Sequence, residues 1–350
     1  MRFDLSEDQA LLRGSTRDFL AAEAPLEKTR RTIEHDPRGV DRETWGKLAE
    51  MGYLGLVAPA AAGGQGLGAV ELAVVCEEVG RTCLPGPYLD VVLAASVLAA
   101  AGGQDALLAD VVAGRRTAVL ARADALYAGE TKETTRFANG RVRGTKHFVP
   151  FGASADVLLV GTPEGVCLVE RPFDTVPLET LDPAQRFVTV QLDHPAKLLG
   201  PATLLGAADR LAAVGAGAQL LGIMAKLLET TLEYVQTRRA FNRPIGAFQA
   251  LQHRLADMLL RVESTRSAVY RAAWAVAAGD AEAALGCATA KAYAGESSRL
   301  VCGEAIQMHG GIGFTWELDV HLYFKRAKTL EQHYGGTEQQ LERALEAAGL

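Results

Sequence analysis

The chain has 350 residues, 49% of them apolar and 22% charged, enough for two or three compact units with cores of their own and unlike a disordered or fibrous chain. Its net charge of −6 offers no basic field for nucleic acid, and no run of basic residues suits an anionic membrane. The opening MRFDLSEDQALLRG lacks an apolar signal core, no uninterrupted apolar span of about 20 residues stands out, and Cys76, Cys83, Cys167, Cys287 and Cys302 lack Cys-x-x-Cys spacing, so the expectation is a cytosolic protein with reduced thiols and no metal site.

Residues 1 to about 112 read as helical. Ser6 and Gln9 have capping-box spacing, and Glu7 and Asp8 suit the positive end of the first helix. The run APAAAGGQGLG (58–68) is rich in glycine, but no Lys-Ser/Thr follows it and no parallel-strand pattern precedes it, so it reads as a turn rather than a phosphate cradle. From about Arg115 the pattern changes to short β-rich runs (TAVLAR, TTRFANGRVRGTKHFVPF, DVLLVGT, VCLVER, RFVTVQLD), with Asn139-Gly140 as a hairpin turn. The fold class expected is mainly α with an inserted β domain: an N-terminal helical domain over 1–112, a small antiparallel β domain over 113–200 and a C-terminal helical bundle over 201–350.

Apolar residues at helical spacing predict a buried helix from about Leu204 to Thr237. Gly215-Ala-Gly217-Ala-Gln-Leu-Leu-Gly222 loosely matches a dinucleotide fingerprint, yet it lies inside that helix with no strand before it, so its small residues are read as helix contacts. Pro244 should stop the helix near Asn242–Pro244, and a second helical pattern starts near Gly246 and runs through Gln249, His253 and Met258. Arg238 and Arg239 sit in the corner, where either could simply complement the helix's negative end.

Three ordered motifs resemble the acyl-CoA dehydrogenase family across the whole chain. Arg238, Phe241, Ile245, Gln249 and Gln252 match one; Gln307-Met-His-Gly310-Gly311-Ile-Gly-Phe-Thr-Trp-Glu resembles the family's Gln-x-x-Gly-Gly-x-Gly element; and Tyr334-Gly335-Gly336-Thr337-Glu338-Gln339 is similar to its Tyr-Glu-Gly-Thr-x-Gln. The resemblance implies FAD as cofactor, an acyl-CoA substrate, electron-transfer flavoprotein as electron acceptor, and an oligomer in which the ADP half of FAD is held by another subunit's helices. It assigns Arg238, Phe241, Gln249, Gln307, Gly310, Gly311, Thr337 and Gln339 to that half. These residue types suit it, because a guanidinium and amides serve a pyrophosphate and glycines allow close approach.

The chain departs from the family at three places. The carboxylate position of the third motif is Gly335; Leu120–Ala128 (LARADALYA) has no counterpart of Thr-Glu-Pro-x-x-Gly-Ser; and Phe148-Val149-Pro150 stands where a Trp-Ile-Thr segment places a hydroxyl near flavin N5. Some relatives carry the base in a Glu-Arg pair at the start of the long helix, and Asp209-Arg210 lies at the matching place. Asp209 is thus the candidate base, although a first-turn dipole role is the simpler reading. Two functions follow from the resemblance. One is a partner subunit lacking a base, in a heterotetramer with a paralogous chain, as in bacterial systems handling steroid side chains and other bulky thioesters. The other is a self-sufficient homo-oligomeric dehydrogenase with Asp209 as base.

Overall fold

The structure, a computed structural model, describes residues 4–126 and 134–350. Tyr127 and Ala128 of the LARADALYA segment lie outside the described residues. Two compact units form: one from the chain up to Glu27, Ala69–Leu84 and Ala213–Leu350, the other from Lys28–Gly68 and Pro85–Ala212.

Six helices open the chain: α1 (Glu7–Glu23), α2 (Leu26–His35), α3 (Arg42–Glu50), α4 (Ala69–Thr82), α5 (Tyr88–Ala101) and α6 (Asp105–Val112). The capping box forms as expected, with Gln9 N donating to Ser6 Oγ at 3.2 Å and Ser6 N donating to Gln9 Oε1 at 3.0 Å. The glycine-rich run is a turn around a short 3₁₀ segment at Ala60–Ala62, and a Cβ on Gly64 would collide with the Ala58 carbonyl.

The β region holds β1 (Ala118–Ala121), β2 (Arg136–Ala138), β3 (Arg141–Pro150), β4 (Val157–Thr162), β5 (Gly165–Glu170), β6 (Asp174–Leu178), β7 (Phe187–Pro195) and β8 (Lys197–Gly200). They make two four-stranded sheets, β1-β4-β5-β8 and β2-β3-β7-β6. Val119, Val142, Leu158, Val160, Val169, Val188 and Val190 form their shared core. Asn139 and Gly140 both have positive φ (51° and 72°), the turn that joins β2 to β3.

The antiparallel expectation needs one correction: β1 runs parallel to β4, Ala118 opposite Val157. β1 is buried throughout and β4 at all but Gly161, and such apolar runs carry no signal of direction. The alternating run GTKHFVPF is also broken. Lys146 pairs with Val190 and Val149 with Val188, so His147 and Phe148 oppose Thr189 alone, and this bulge puts Phe148 at φ 49°.

The C-terminal half is helical: α7 (Leu204–Thr237), α8 (Gln249–Ala278), α9 (Ala283–His309), α10 (Val320–Gln332) and α11 (Thr337–Ala347). Leu220, Leu221, Ile223, Met224 and Leu227 of α7 pack with Met258 and Val262 of α8, Val301, Cys302 and Ile306 of α9, and Val320, Tyr323 and Leu330 of α10. Each such leucine contributes about 1.5–3 kcal/mol by burial. The fingerprint-like glycines serve packing. A Cβ on Gly222 would collide with the Glu77 carbonyl of α4, and one on Gly217 would meet Val269 Cγ2 at 3.2 Å.

No uninterrupted apolar span of about 20 residues stands out in the sequence, and α7 comes nearest to one suited to a membrane. By length and composition it contains an 18-residue window that qualifies, and 83% of that window is buried within the fold. Alanine, glycine and leucine make it apolar because it is a core helix. The five cysteines are free and buried, and burial pushes the Cys76 thiol up to about 12. Among the described residues no cluster of His, Cys, Asp or Glu could hold a metal ion.

Candidate functional site

The corner after α7 is tighter than the sequence suggests. The helix ends at Thr237, and β9 (Arg239–Ala240) pairs antiparallel with β10 (Arg243–Pro244) around Phe241 and Asn242. Both turn residues have positive φ (51° and 63°), which aims the Phe241 ring outward, 88% exposed. Ile245 N donates to Arg238 O at 2.8 Å and closes the hairpin; α8 then begins at Gln249, three residues later than the pattern implied.

The hairpin sorts its arginines. Arg239 donates to Asn242 O at 3.0 Å, and the Arg243 guanidinium stacks 4.0 Å over the Phe248 ring. Arg238 is exposed and has no hydrogen-bond or ion-pair partner for its side chain among the described residues. It is therefore the arginine left for a ligand.

Tyr234, one turn before Arg238, joins this corner to the end of α9. Its ring stacks on His309 at 4.3 Å, and its hydroxyl donates to His309 O at 3.4 Å. Gln307, Gly310 and Gly311 lie at that end. Gly310 has φ 66°, and nothing stands within 4 Å of a Cβ built on either glycine. The side-chain amides of Gln249 and Gln307 make no hydrogen bond among the described residues. The structure thus places Arg238, Phe241 and Gln249 at the corner after α7, and Gln307, Gly310 and Gly311 at the end of α9 that Tyr234 ties to that corner.

Thr337 and Gln339 lie elsewhere. They open α11, and Thr337 Oγ1 would stand 2.9 Å from a Cβ on Gly295 of α9. Gly295 is twelve residues before Gln307 in the same helix, about 18 Å along its axis at about 1.5 Å per residue. One chain therefore does not bring all eight residues together.

Gly335 does more than lack a carboxylate. Its φ is 98°, and a Cβ there would meet Gln340 Nε2 at 2.6 Å, Gln339 Oε1 at 3.1 Å and an Arg343 nitrogen at 3.3 Å. Gln340 is 2% exposed and donates to Tyr334 O at 2.8 Å, so it cannot simply swing aside. A side chain here would have to displace the Gln340 amide.

Asp209 lies in the second turn of α7 and is not free. Arg122 binds it bidentately, one guanidinium nitrogen on Oδ1 and the other on Oδ2 at 2.9 Å. The segment after β1 is tied by charge as well. Lys146, buried on β3, donates to Arg122 O at 3.0 Å and Asp124 Oδ1 at 2.7 Å, and Asp124 also accepts from Thr135 N at 3.1 Å. Burial pushes Lys146 down from the usual lysine range against the pull of Asp124. Burial raises Asp124, but the bonds from Lys146 and Thr135 outweigh it and hold the carboxyl below its ordinary value.

Phe148 is 40% exposed and meets Phe187 edge-on at 6.4 Å. Thr189, opposite the bulge, pairs its hydroxyl with His147 Nδ1 at 3.0 Å. Sequence reading named Phe148 but missed Arg122, Asp124, Lys146 and Lys291. Lys146 carries a signal in hindsight, since it sits among the inward-facing residues of a strand. Lys291 carries another, as a lone charge in the alanine run ATAKAYAG.

Two family descriptions match this chain. Acyl-CoA dehydrogenase, N-terminal domain covers residues 6–108, and acyl-CoA dehydrogenase, C-terminal domain covers residues 210–349. The acyl-CoA dehydrogenase IpdE2 of Mycobacterium tuberculosis is 32% identical over 92% of this chain and 91% of its own length. Among solved structures, the ChsE4-ChsE5 complex from Mycobacterium tuberculosis contains a chain that superposes with a TM-score of 0.90 at 31% identity, covering 100% of this chain and 99% of that one. A variant of the Tcur3481-Tcur3483 steroid ACAD matches with a TM-score of 0.90 at 29% identity, covering 98% of each chain.

Proposed function

The chain belongs to the acyl-CoA dehydrogenase family, and from that premise we propose that it is the base-lacking subunit of a two-subunit, FAD-dependent acyl-CoA dehydrogenase. The observation that carries this reading is Gly335. It stands where the family motif has a carboxylate, in a left-handed turn where a side chain would have to displace the buried, hydrogen-bonded Gln340 amide. The bidentate hold of Arg122 on Asp209 supports the same reading, because the ion pair fixes the carboxylate in place and takes up one lone pair of each oxygen. The chain's likeness to a member of the ChsE4-ChsE5 complex and to a steroid ACAD supports a paralogous partner and a bulky, steroid-like acyl-CoA thioester as substrate.

The residues present fit the ADP half of FAD. Arg238 has a guanidinium with no partner among the described residues for a pyrophosphate, and Phe241 an exposed ring for an apolar edge of the nucleotide. Gln249 and Gln307 have unused amides, while Gly310 and Gly311 let a ligand reach the backbone. Thr337 and Gln339, about 18 Å away along α9, serve a second cofactor across a subunit interface. When bound, FAD supplies the acceptor for the substrate's β-hydride, and electron-transfer flavoprotein takes the electrons onward. This chain's part is to bind and orient, and the partner supplies the carboxylate that takes the α-proton.

The test is co-expression with a paralogue that carries the family carboxylate. The pair should purify yellow with about one FAD per two chains and oxidise a steroid-like acyl-CoA, whereas the chain alone should hold little flavin. Full flavin occupancy and turnover in the isolated chain, abolished by Asp209→Asn, would instead establish the self-sufficient homo-oligomer.

A further inference from the structure

Lys291 is the one lysine of α9, 1% exposed, two turns in from the start of the helix. Its ammonium donates to two carbonyls outside its own helix, Glu331 O at 3.1 Å and Gly335 O at 3.2 Å. The first lies at the end of α10 and the second in the turn that launches α11. That turn is unusual backbone: Tyr334 has φ 63° and Gly335 φ 98°. Such a conformation persists only where its surroundings hold it. Gln340 holds one of its carbonyls, Tyr334 O, and Lys291 holds the next.

One helical turn further along α9, Gly295 lets the same turn approach. A Cβ there would stand 2.9 Å from Thr337 Oγ1 and 3.2 Å from Glu331 Cγ. Glu331, 2% exposed, receives Lys328 at 2.8 Å, Arg299 at 3.6 Å and the Thr337 hydroxyl at 3.5 Å. A buried ammonium is costly to desolvate, and a neutral amide or an apolar chain would pack here without that penalty. A lysine supplies three donors on a thin stem that reaches between packed helices; one is spent on the end of α10 and one on this turn.

We propose that Lys291 is a positioning residue for the cofactor: by pinning Glu331 O and Gly335 O it sets the start of α11, and so the placement of Thr337 and Gln339 toward the adenosine side of FAD, without touching the cofactor itself. This rests on the reading above that Thr337 and Gln339 contact FAD.

The experiment uses the assembled, FAD-loaded complex. Lys291→Met should speed amide hydrogen exchange across residues 334–340 at least about tenfold while leaving the 239–244 hairpin unchanged. It should also speed FAD release about tenfold, measured by flavin fluorescence, and Lys291→Gln, which keeps a donor, should fall between. On a Thr337→Ala/Gln339→Ala background, Lys291→Met should add nothing to FAD release, because the lysine acts through those two residues. FAD release from the wild-type complex should quicken between pH 7 and 9.5, and this rise should be missing in Lys291→Met. The charges facing the ammonium there are Glu331 and Arg343, with Lys328 and Arg299 on Glu331.

Unchanged exchange at 334–340, or an effect on FAD release that adds fully to the double variant, overturns the proposal. If Thr337→Ala/Gln339→Ala leaves FAD release untouched, the assignment of those contacts is what fails. Faster exchange in Lys291→Met then still supports the lysine's hold on the turn. Should Lys291→Met fail to fold, Lys291→Gln carries each comparison.

Discussion

Both carboxylate oxygens of Asp209 are taken by the guanidinium of Arg122, 87 positions earlier in the chain. The aspartate expected as a base is instead half of a bidentate ion pair between the start of α7 and the segment after β1.

Asp209→Asn in the assembled enzyme should therefore leave turnover within about threefold of wild type, whereas loss of a true general base costs about 10²–10⁴-fold. Both partners are about one-third exposed, so the pair adds only about 1 kcal/mol or less to stability. Acyl-CoA oxidation followed with a dye acceptor, beside a thermal melt, separates the two effects.

Gly335→Glu should not restore a base to this chain. The left-handed φ of 98° and the packed Gln340 make the substitution destabilising by about 1–3 kcal/mol. A lowered melting temperature with no gain in activity of the isolated chain is the expected outcome. Activity appearing with an unchanged melt would show that the turn is looser than its geometry implies.

Arg238→Ala should weaken FAD retention in the complex by about 1.5–3 kcal/mol, roughly ten- to a hundredfold, since it removes a charge-assisted contact. Phe241→Ala should weaken it too. Neither change should shift the melt of the chain alone by more than about 0.5 kcal/mol, because Arg238 and Phe241 are both exposed there. Loss of fold in either variant would mark the hairpin as structural.

Lys291 gives the stability curve a predictable slope. Burial pushes it down to about 8, with Glu331 opposing and Arg343 adding to the shift. Between about pH 8 and 10.4 the unfolded chain holds this proton and the folded chain does not, so stability rises with pH across that window. The cost of the buried charge is fully present below pH 8. Denaturant midpoints for wild type minus Lys291→Met should thus climb by up to about 3 kcal/mol from pH 8 to 10.4. A flat difference would mean that the lysine is not desolvated.

The cysteines should be inert in the native protein. All five are buried, and burial pushes Cys76 to about 12 and raises Cys302 as well, so thiolate is scarce at neutral pH. A thiol reagent such as DTNB should find fewer than about one equivalent before unfolding and all five afterwards. Rapid labelling of the folded chain would place a thiol at the surface.

What the sequence determined by itself was whatever short-range rules govern. Ser6 and Gln9 cap α1, Asn139-Gly140 turns β2 into β3, and the apolar spacing from Leu204 ends at Thr237, because each depends on residues within a turn or two. The three motifs were legible for the same reason, as local spacings. Other features had no such signal. β6 includes Pro177 and does not alternate, and the direction of β1 beside β4 is invisible in two almost wholly buried runs. The bulge that turns Phe148 outward comes from the register of β3 on β7. Only the tertiary structure decided that Arg122 holds Asp209, and that Lys291 holds the Gly335 carbonyl from 44 positions away. Such partners are chosen by how elements pack, and a chain's periodicity fixes which face a residue presents but not what that face will meet.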